Sequence, residues 1–200
     1  MLLHDKLKEY NVILASNSPR RRELLLGTDI SFTQGPKYET DETYPEEMNP
    51  LEVPAYLSQI KSDAYPNKLN SKDILITADT IVIVEGQILG KPVDRSDAIR
   101  MLQLLSGEKH TVVSGVTIRN NFTSKSFSSV TSVFFRELLP EEIEFYVDNY
   151  KPFDKAGSYG IQEWIGYVGI ERIEGSFYNV MGLPVQMLYR ELDNFLSAAK

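Results

Sequence analysis

The 200-residue chain contains no cysteine, only two histidines and a single tryptophan. It also has no apolar run near the roughly 18 residues that a membrane-spanning helix requires. Without cysteine there is no disulfide framework, no thiolate nucleophile and no Cys-ligated zinc, a composition that fits a reducing compartment. His4 and His110 are too few for a His-rich metal site, and a Ser-His-Asp relay would have to rest on one of them. Positive charge is in deficit as well: 21 Lys+Arg face 28 Asp+Glu, a formal net charge of −7 at pH 7. That balance argues against a protein that coats nucleic acid or an anionic membrane by bulk electrostatics. Met1 to Tyr10 alternates charges with leucines and lacks the apolar core of a signal peptide. The expectation is a soluble, cytoplasmic, acidic protein with one domain over residues 1–200, large enough to bury a core without covalent staples.

What is present reads as a mixed order of strands and helices. Asn11 to Ala15 is a short apolar run of buried-strand type, broken by Ser16-Asn17-Ser18-Pro19, after which Arg20 to Leu26 has helical spacing and Gly27 a stop signal. Thr33 to Pro50 is polar and reads as an exposed loop, and Pro54 opens a helix to about Tyr65 that contains Lys61. Ile74 to Val84 is apolar apart from its centre, and Glu85-Gly86 before Gln87 to Leu89 suggests a hairpin. Asp94 or Ser96 caps a helix through Leu105, Thr111 to Arg119 and Ser126 to Phe135 read as strands, and Pro140 starts another helix. Strands are expected near Tyr167 to Ile173 and Phe177 to Val180, with a last helix opened by Pro184 and running through Leu196. Helices interleaved with both parallel-type and hairpin strands imply an α/β (mixed α+β) fold, a mixed twisted sheet with flanking helices.

Five segments carry candidate chemistry. Ser18 and Pro19 suit a helix start, but Arg20, Arg21 and Arg22 then place three cations at the positive end of the helix dipole. Either a polyphosphate binds there, or the arginines form a solvated face neutralised by Glu23 and other carboxylates. Asp79, between two apolar runs, needs a partner, a metal or a raised pKa if it is buried, unless the strand ends there in an Asx turn. Gly90-Lys91-Pro92 is either a phosphate-contacting loop or an ordinary surface turn. Asp41-Glu42, with Glu39 nearby, is either solvated surface or a carboxylate facing Asp79 across a hard cation. In Lys155 to Gln162, closely spaced glycines suit a turn or a binding loop, and the Gln162 amide can both donate to and accept from a base edge. Neither a Walker A pattern nor GxGxxG is present.

Taken together, the ordered set resembles the Maf family of nucleoside triphosphate pyrophosphatases. The matching residues are Leu14 to Arg21, Asp41-Glu42, Lys61, Ala78 to Val82, Gly90-Lys91-Pro92, Ser106-Gly107, Lys155-Ala156-Gly157, Tyr159 to Gln162, Ile173 to Ser176, Asn179-Val180 and Gly182-Leu183-Pro184. They run from about residue 11 to 196. The resemblance implies a Maf/ITPase-like fold with two lobes around a cleft, usually a homodimer. It also implies metal-dependent hydrolysis between the α and β phosphates, releasing a nucleoside monophosphate and pyrophosphate, with nucleotide-pool house-cleaning as the role. Arg20, Thr80 and Gln162 together resemble the branch acting on dTTP and UTP rather than the one preferring 7-methyl-GTP. On this resemblance Asp79, Lys61, Lys91 and Glu42 are catalytic, and Ser16, Arg20, Arg21, Thr80 and Gln162 bind substrate. Asp79 and Glu42 hold Mg²⁺ or Mn²⁺. The partner is a nucleoside triphosphate, with no nucleic acid and no membrane. Two departures stand out: the helix reads Leu57-Ser58-Gln59-Ile60-Lys61-Ser62 where the family more often has alanines beside the lysine, and Glu163 replaces a usual glycine. A nucleotide-binding regulator without turnover, linked to septum formation, is the alternative from a different class.

Overall fold

A computed structural model describes residues 1–198 of the chain. Helix α1 (Leu3–Leu7) precedes the first apolar run, which forms strand β1 (Asn11–Leu14). The chain then turns into α2 (Pro19–Leu26), where the Ser18 hydroxyl accepts from the Arg21 N–H, Pro19 fills the first turn, and Gly27 is the C-cap. Strand β2 (Thr33–Gln34) is the regular part of the long polar stretch, and α3 (Val53–Asp63) starts one residue before Pro54. Strand β3 (Asp73–Val84) is buried along almost its whole length, as suits an interior strand. It returns as β4 (Gln87–Leu89) through Glu85 and Gly86, both left-handed with φ of 48° and 79°, the twist a two-residue hairpin needs.

Helix α4 (Arg95–Leu105) is capped by Asp94, whose carboxylate accepts from the Asp97 N–H, and it buries Ala98, Met101, Leu102 and Leu105 on one stripe. Strands β5 (Lys109–Arg119) and β6 (Ser124–Phe135) follow, then α5 (Pro140–Tyr150), a 3₁₀ turn over Ala156–Ser158, α6 (Trp164–Gly169), β7 (Ile170–Glu174), α7 (Phe177–Met181) and α8 (Val185–Ala198). The seven strands lie in the order β2-β1-β3-β5-β6-β7, with β4 on β3. β1 is parallel to β2 and β3, while β3–β4 and β6–β7 are antiparallel, so the mixed α/β reading holds.

The last quarter departs from the expected strands. Only Ile170–Glu174 is extended; Trp164–Gly169 and Phe177–Met181 are helical. Aromatic and β-branched content favours a strand only where a neighbouring strand is available, and local constraints decide otherwise here. A Cβ on Gly166 would sit 1.8 Å from the Ile161 carbonyl oxygen, so glycine lets α6 fold tightly onto the preceding turn. At α7 the Ser176 hydroxyl accepts from the Asn179 N–H at 3.3 Å.

The chain divides into two compact units, the first comprising Met1–Asp79, Ser114–Ser129 and the segment from Gly182, the second Thr80–Val113 and Val130–Met181. In the first unit Ile13, Ala15, Tyr65, Leu69 and Leu75 form one apolar cluster with Tyr38 against it, and α8 buries Leu188, Leu192, Phe195 and Leu196. In the second, Leu89, Leu102, Leu105, Tyr146 and Ile165 are fully buried. Among the described residues no helix is long and apolar enough to cross a membrane.

Helix α3 begins directly over β5: a Cβ on Gly115 would lie 2.1 Å from the backbone at Pro54 and Ala55. Gly115→Ala is therefore expected to push the helix off the strand and to destabilise the protein by roughly 3 kcal/mol in urea unfolding. Gly90→Ala, whose Cβ meets nothing within 4 Å, should change stability by less than about 0.5 kcal/mol.

Candidate active site

Strand β3 does not end or bend at Asp79; it continues to Val84, and the carboxylate is nearly buried. The question a buried carboxylate raises is answered from helix α3. The Lys61 ammonium donates to Asp79 Oδ1 at 2.6 Å and also lies 3.1 Å from Glu42 Oε1. Lys61 and Asp79 have side chains 17% and 11% exposed, whereas Glu42 is 52% exposed, so the first contact is shielded and the second is open to water. Three residues expected to act together, from the polar loop, α3 and β3, thus meet in the first unit. Asp41 instead shapes its own loop, its carboxylate accepting from the Thr43 N–H at 3.2 Å.

The arginine-bearing helix start approaches the same strand. Arg21 Nη1 donates to the Ala78 carbonyl at 2.7 Å and to Ser16 Oγ at 3.4 Å, while Nε donates to the Gly182 carbonyl at 2.8 Å. The fork therefore ties the β1–α2 loop, the residue before Asp79 and the approach to α8 together. Burial pulls the Arg21 pKa below the ordinary arginine value, and the Asp79 carboxylate opposes that shift. Arg20 is half-buried and Arg22 exposed, in the same first turn.

In the second unit, Thr80 directly follows Asp79 in sequence and is half-buried, Lys91 is exposed, and Gln162 is half-buried. The Gly157 N–H donates to the Gly90 carbonyl at 3.0 Å, which joins the Gly90-Lys91-Pro92 loop to the segment leading to Gln162. Gln162 Oε1 is shielded from solvent and has no hydrogen-bond partner among the described residues. The residues on either side of it are clamped. Tyr146, on α5, accepts from the Gly160 N–H at 3.0 Å and donates to Glu163 Oε2, and Glu163 Oε1 lies 3.0 Å from the Lys155 ammonium. Burial and then the Glu163 carboxylate push the Tyr146 phenol well above its usual pKa. Glu163 is thus tied back into the loop rather than adding a loose charge. Tyr146 is a site-supporting residue the sequence reading missed, because its partners lie 14 and 17 positions away with no periodicity to mark them.

A hard divalent cation takes carboxylate, water and phosphate oxygens. Asp79 and Glu42 supply carboxylate oxygens, both of them facing the Lys61 ammonium, and among the described residues no group of three or more His, Cys, Asp or Glu converges. Two carboxylates of this kind are chemically suited to a hard Mg²⁺-type ion, which usually takes one or two carboxylates, and they do not form an all-protein cage.

A family model described as Maf-like protein matches residues 11–195. A dTTP/UTP pyrophosphatase from Porphyromonas gingivalis is 54% identical over 193 residues, covering 96% of this chain and 97% of that protein. Proteins of the same name from Parabacteroides distasonis and Bacteroides fragilis are each 50% identical, covering 96% and 93% of this chain and 99% and 96% of their own. Among solved structures, a HAM1 protein from Coxiella burnetii is similar with a TM-score of 0.46 and 13% identity over 92% of this chain and 99% of that one, too distant to carry an argument.

The segment that carries Gln162 also leans on a buried histidine. His110 Nε2 is hydrogen-bonded to the Tyr159 hydroxyl at 2.8 Å, and both rings pack edge-on against Phe135. Burial lowers the His110 pKa from 6.5 to about 4. The unfolded chain therefore binds the proton first as pH falls. Stability from this group is complete above pH 6.5 and is lost between there and about pH 4, by about 3 kcal/mol. In urea unfolding, the stability lost between pH 7 and pH 4 should be larger in the wild type than in a folded His110→Gln variant by about that increment.

Proposed function

The chain belongs to the Maf-like protein family, and from that premise we propose that it hydrolyses dTTP and UTP to the nucleoside monophosphate and pyrophosphate. The observation that carries the reading is the Lys61 ammonium set between the Asp79 and Glu42 carboxylates. Water adds across the anhydride link between the α and β phosphates: the P–O bond breaks, its electron pair leaves with one phosphate fragment, and the attacking water gives up a proton. Asp79 is the group assigned to accept that proton or to orient the water. Lys61, with Arg20 and Lys91, holds phosphate oxygens and stabilises the charge that develops on the leaving group. Arg21 and Ser16 shape the loop beneath the substrate as well as binding it, since their polar atoms already meet each other and the Ala78 carbonyl. Thr80 and Gln162 are assigned to recognition of the nucleoside, with Gln162 Oε1 as an acceptor for a base N–H. A Mg²⁺ or Mn²⁺ ion, which Asp79 and Glu42 would hold, withdraws charge from the phosphates when bound. On the family resemblance alone, the proposal extends to a cytoplasmic homodimer in which residues 1–200 act as one catalytic domain.

Pyrophosphate release from dTTP, UTP, GTP and 7-methyl-GTP, with and without Mg²⁺, tests the reading. The wild type is expected to turn over dTTP and UTP only with the cation. Asp79→Asn, with its fold confirmed by circular dichroism, should lose about 10²- to 10⁴-fold in kcat. Wild-type turnover by that variant removes Asp79 from the role given to it. Binding without hydrolysis across the whole panel overturns the enzyme reading in favour of a nucleotide-binding regulator.

A further inference from the structure

We propose that Thr77, acting through Ser58, is a positioning residue that sets Lys61 against Asp79; the proposal rests on the reading of that ion pair as catalytic. Thr77 and Asp79 are two residues apart on β3 and so share a face of the strand. Ser58 and Lys61 are three apart on α3 and so share a face of the helix. Two contacts therefore run side by side between these elements: Lys61 Nζ to Asp79 Oδ1 at 2.6 Å, and Thr77 Oγ1 to the Ser58 carbonyl at 2.7 Å. Ser58 and Thr77 are fully buried. A helix carbonyl has a second lone pair beyond the one its own helix uses, and the Thr77 hydroxyl takes it.

The need for such a tether follows from the chemistry of lysine. Its ammonium ends a flexible four-carbon stem, so the position of Nζ depends on where the helix lies along the strand. The apolar contacts of Val53 and Leu57 hold α3 down, but they are non-directional and do not fix its axial position. Directed hydrogen bonds do, and this face of α3 has several. The Ser58 hydroxyl donates to the Ala55 carbonyl at 2.7 Å and meets Thr117 Oγ1 on β5 at 2.8 Å. Thr117 Oγ1 meets Ser126 Oγ on β6 at 2.7 Å, and Ser126 donates to Gln59 Oε1, back on α3, at 2.9 Å.

Proton accounting singles out one link in this set. Ser58 and Ser126 each give their single hydroxyl proton elsewhere, so the one proton of Thr117 can complete only one of its two hydroxyl contacts at a time. The Thr77 bond to the Ser58 carbonyl has a donor of its own and lies one helical turn from Lys61. The Tyr38 hydroxyl holds the Lys61 carbonyl from the preceding loop at 2.6 Å, so the Thr77 bond is the one that ties this turn of α3 to the strand carrying Asp79.

The test compares Thr77→Val, which keeps the shape and removes the donor, with Thr77→Ser, which keeps the donor, in the full chain with Mg²⁺ and dTTP. Thr77→Val should lower kcat about ten- to a hundredfold while KM stays within about twofold. The rate at which the Lys61 amine is acetylated by dilute acetic anhydride, read by peptide mass spectrometry, should rise several-fold. Thr77→Ser should restore both. Wild-type kcat and acetylation in Thr77→Val, or a loss that merely follows the unfolded fraction and is not restored by serine, overturns the proposal. Should the valine variant fail to fold, Thr77→Ala makes the same comparison. If the wild type hydrolyses no triphosphate, the enzyme reading fails by itself, and the Lys61 acetylation rates still decide whether Thr77 positions the lysine.

Discussion

Asp79 sits in the middle of a twelve-residue strand that is buried almost end to end, and a carboxylate there needs a cation held within hydrogen-bond reach. Lys61 meets that need at 2.6 Å, and several features of the first unit bear on its doing so. Gly115 lets the start of α3 rest on β5, the polar contacts of Ser58 and Thr77 index the helix along β3, and the Tyr38 hydroxyl donates to the Lys61 carbonyl at 2.6 Å. Breaking such a pair by removing one partner costs more than the pair contributes when intact, because a buried charge is left behind. The local design therefore places its directional bonds around the pair.

The arginine helix follows the same logic in a different way. Three cations at a helix N-terminus look like surplus positive charge in an acidic protein, yet Arg21 is tied into the fold. Arg21 spans two backbone carbonyls and a serine hydroxyl, a geometry that needs the planar fork of arginine and that a lysine could not reproduce. Arg21 thus has a fold-holding use within this motif. In the second unit the Tyr146–Glu163–Lys155 contacts play the comparable part, holding the backbone on both sides of Gln162.

Much of the architecture was legible because its determinants are local. Ser18-Pro19 and Asp94 announce helix starts through side-chain capping of nearby N–H groups, and Glu85-Gly86 announces a hairpin because both residues adopt left-handed backbone. The reading failed at Trp164–Gly169 and Phe177–Met181, where aromatic and β-branched content suggested strands. There, a glycine that admits a close carbonyl and a serine cap outweighed propensity, and neither effect shows in composition.

The candidate site divides along the same line. Residue type and order alone determined that Asp79 interrupts an apolar strand, that arginines crowd a helix start, that a glycine-spaced loop ends in Gln162, and that no cysteine and too few histidines are present for other chemistries. Which cation answers Asp79 was decided only by tertiary structure, because the pairing joins residues 18 positions apart on different elements. The roles of Arg21, Tyr146, Thr77 and Ser58 were likewise decided there. Spacing along a chain encodes which side chains share a face of one helix or strand, whereas the meeting of two faces depends on how the elements pack, and packing is where hydrogen-bond distances are set.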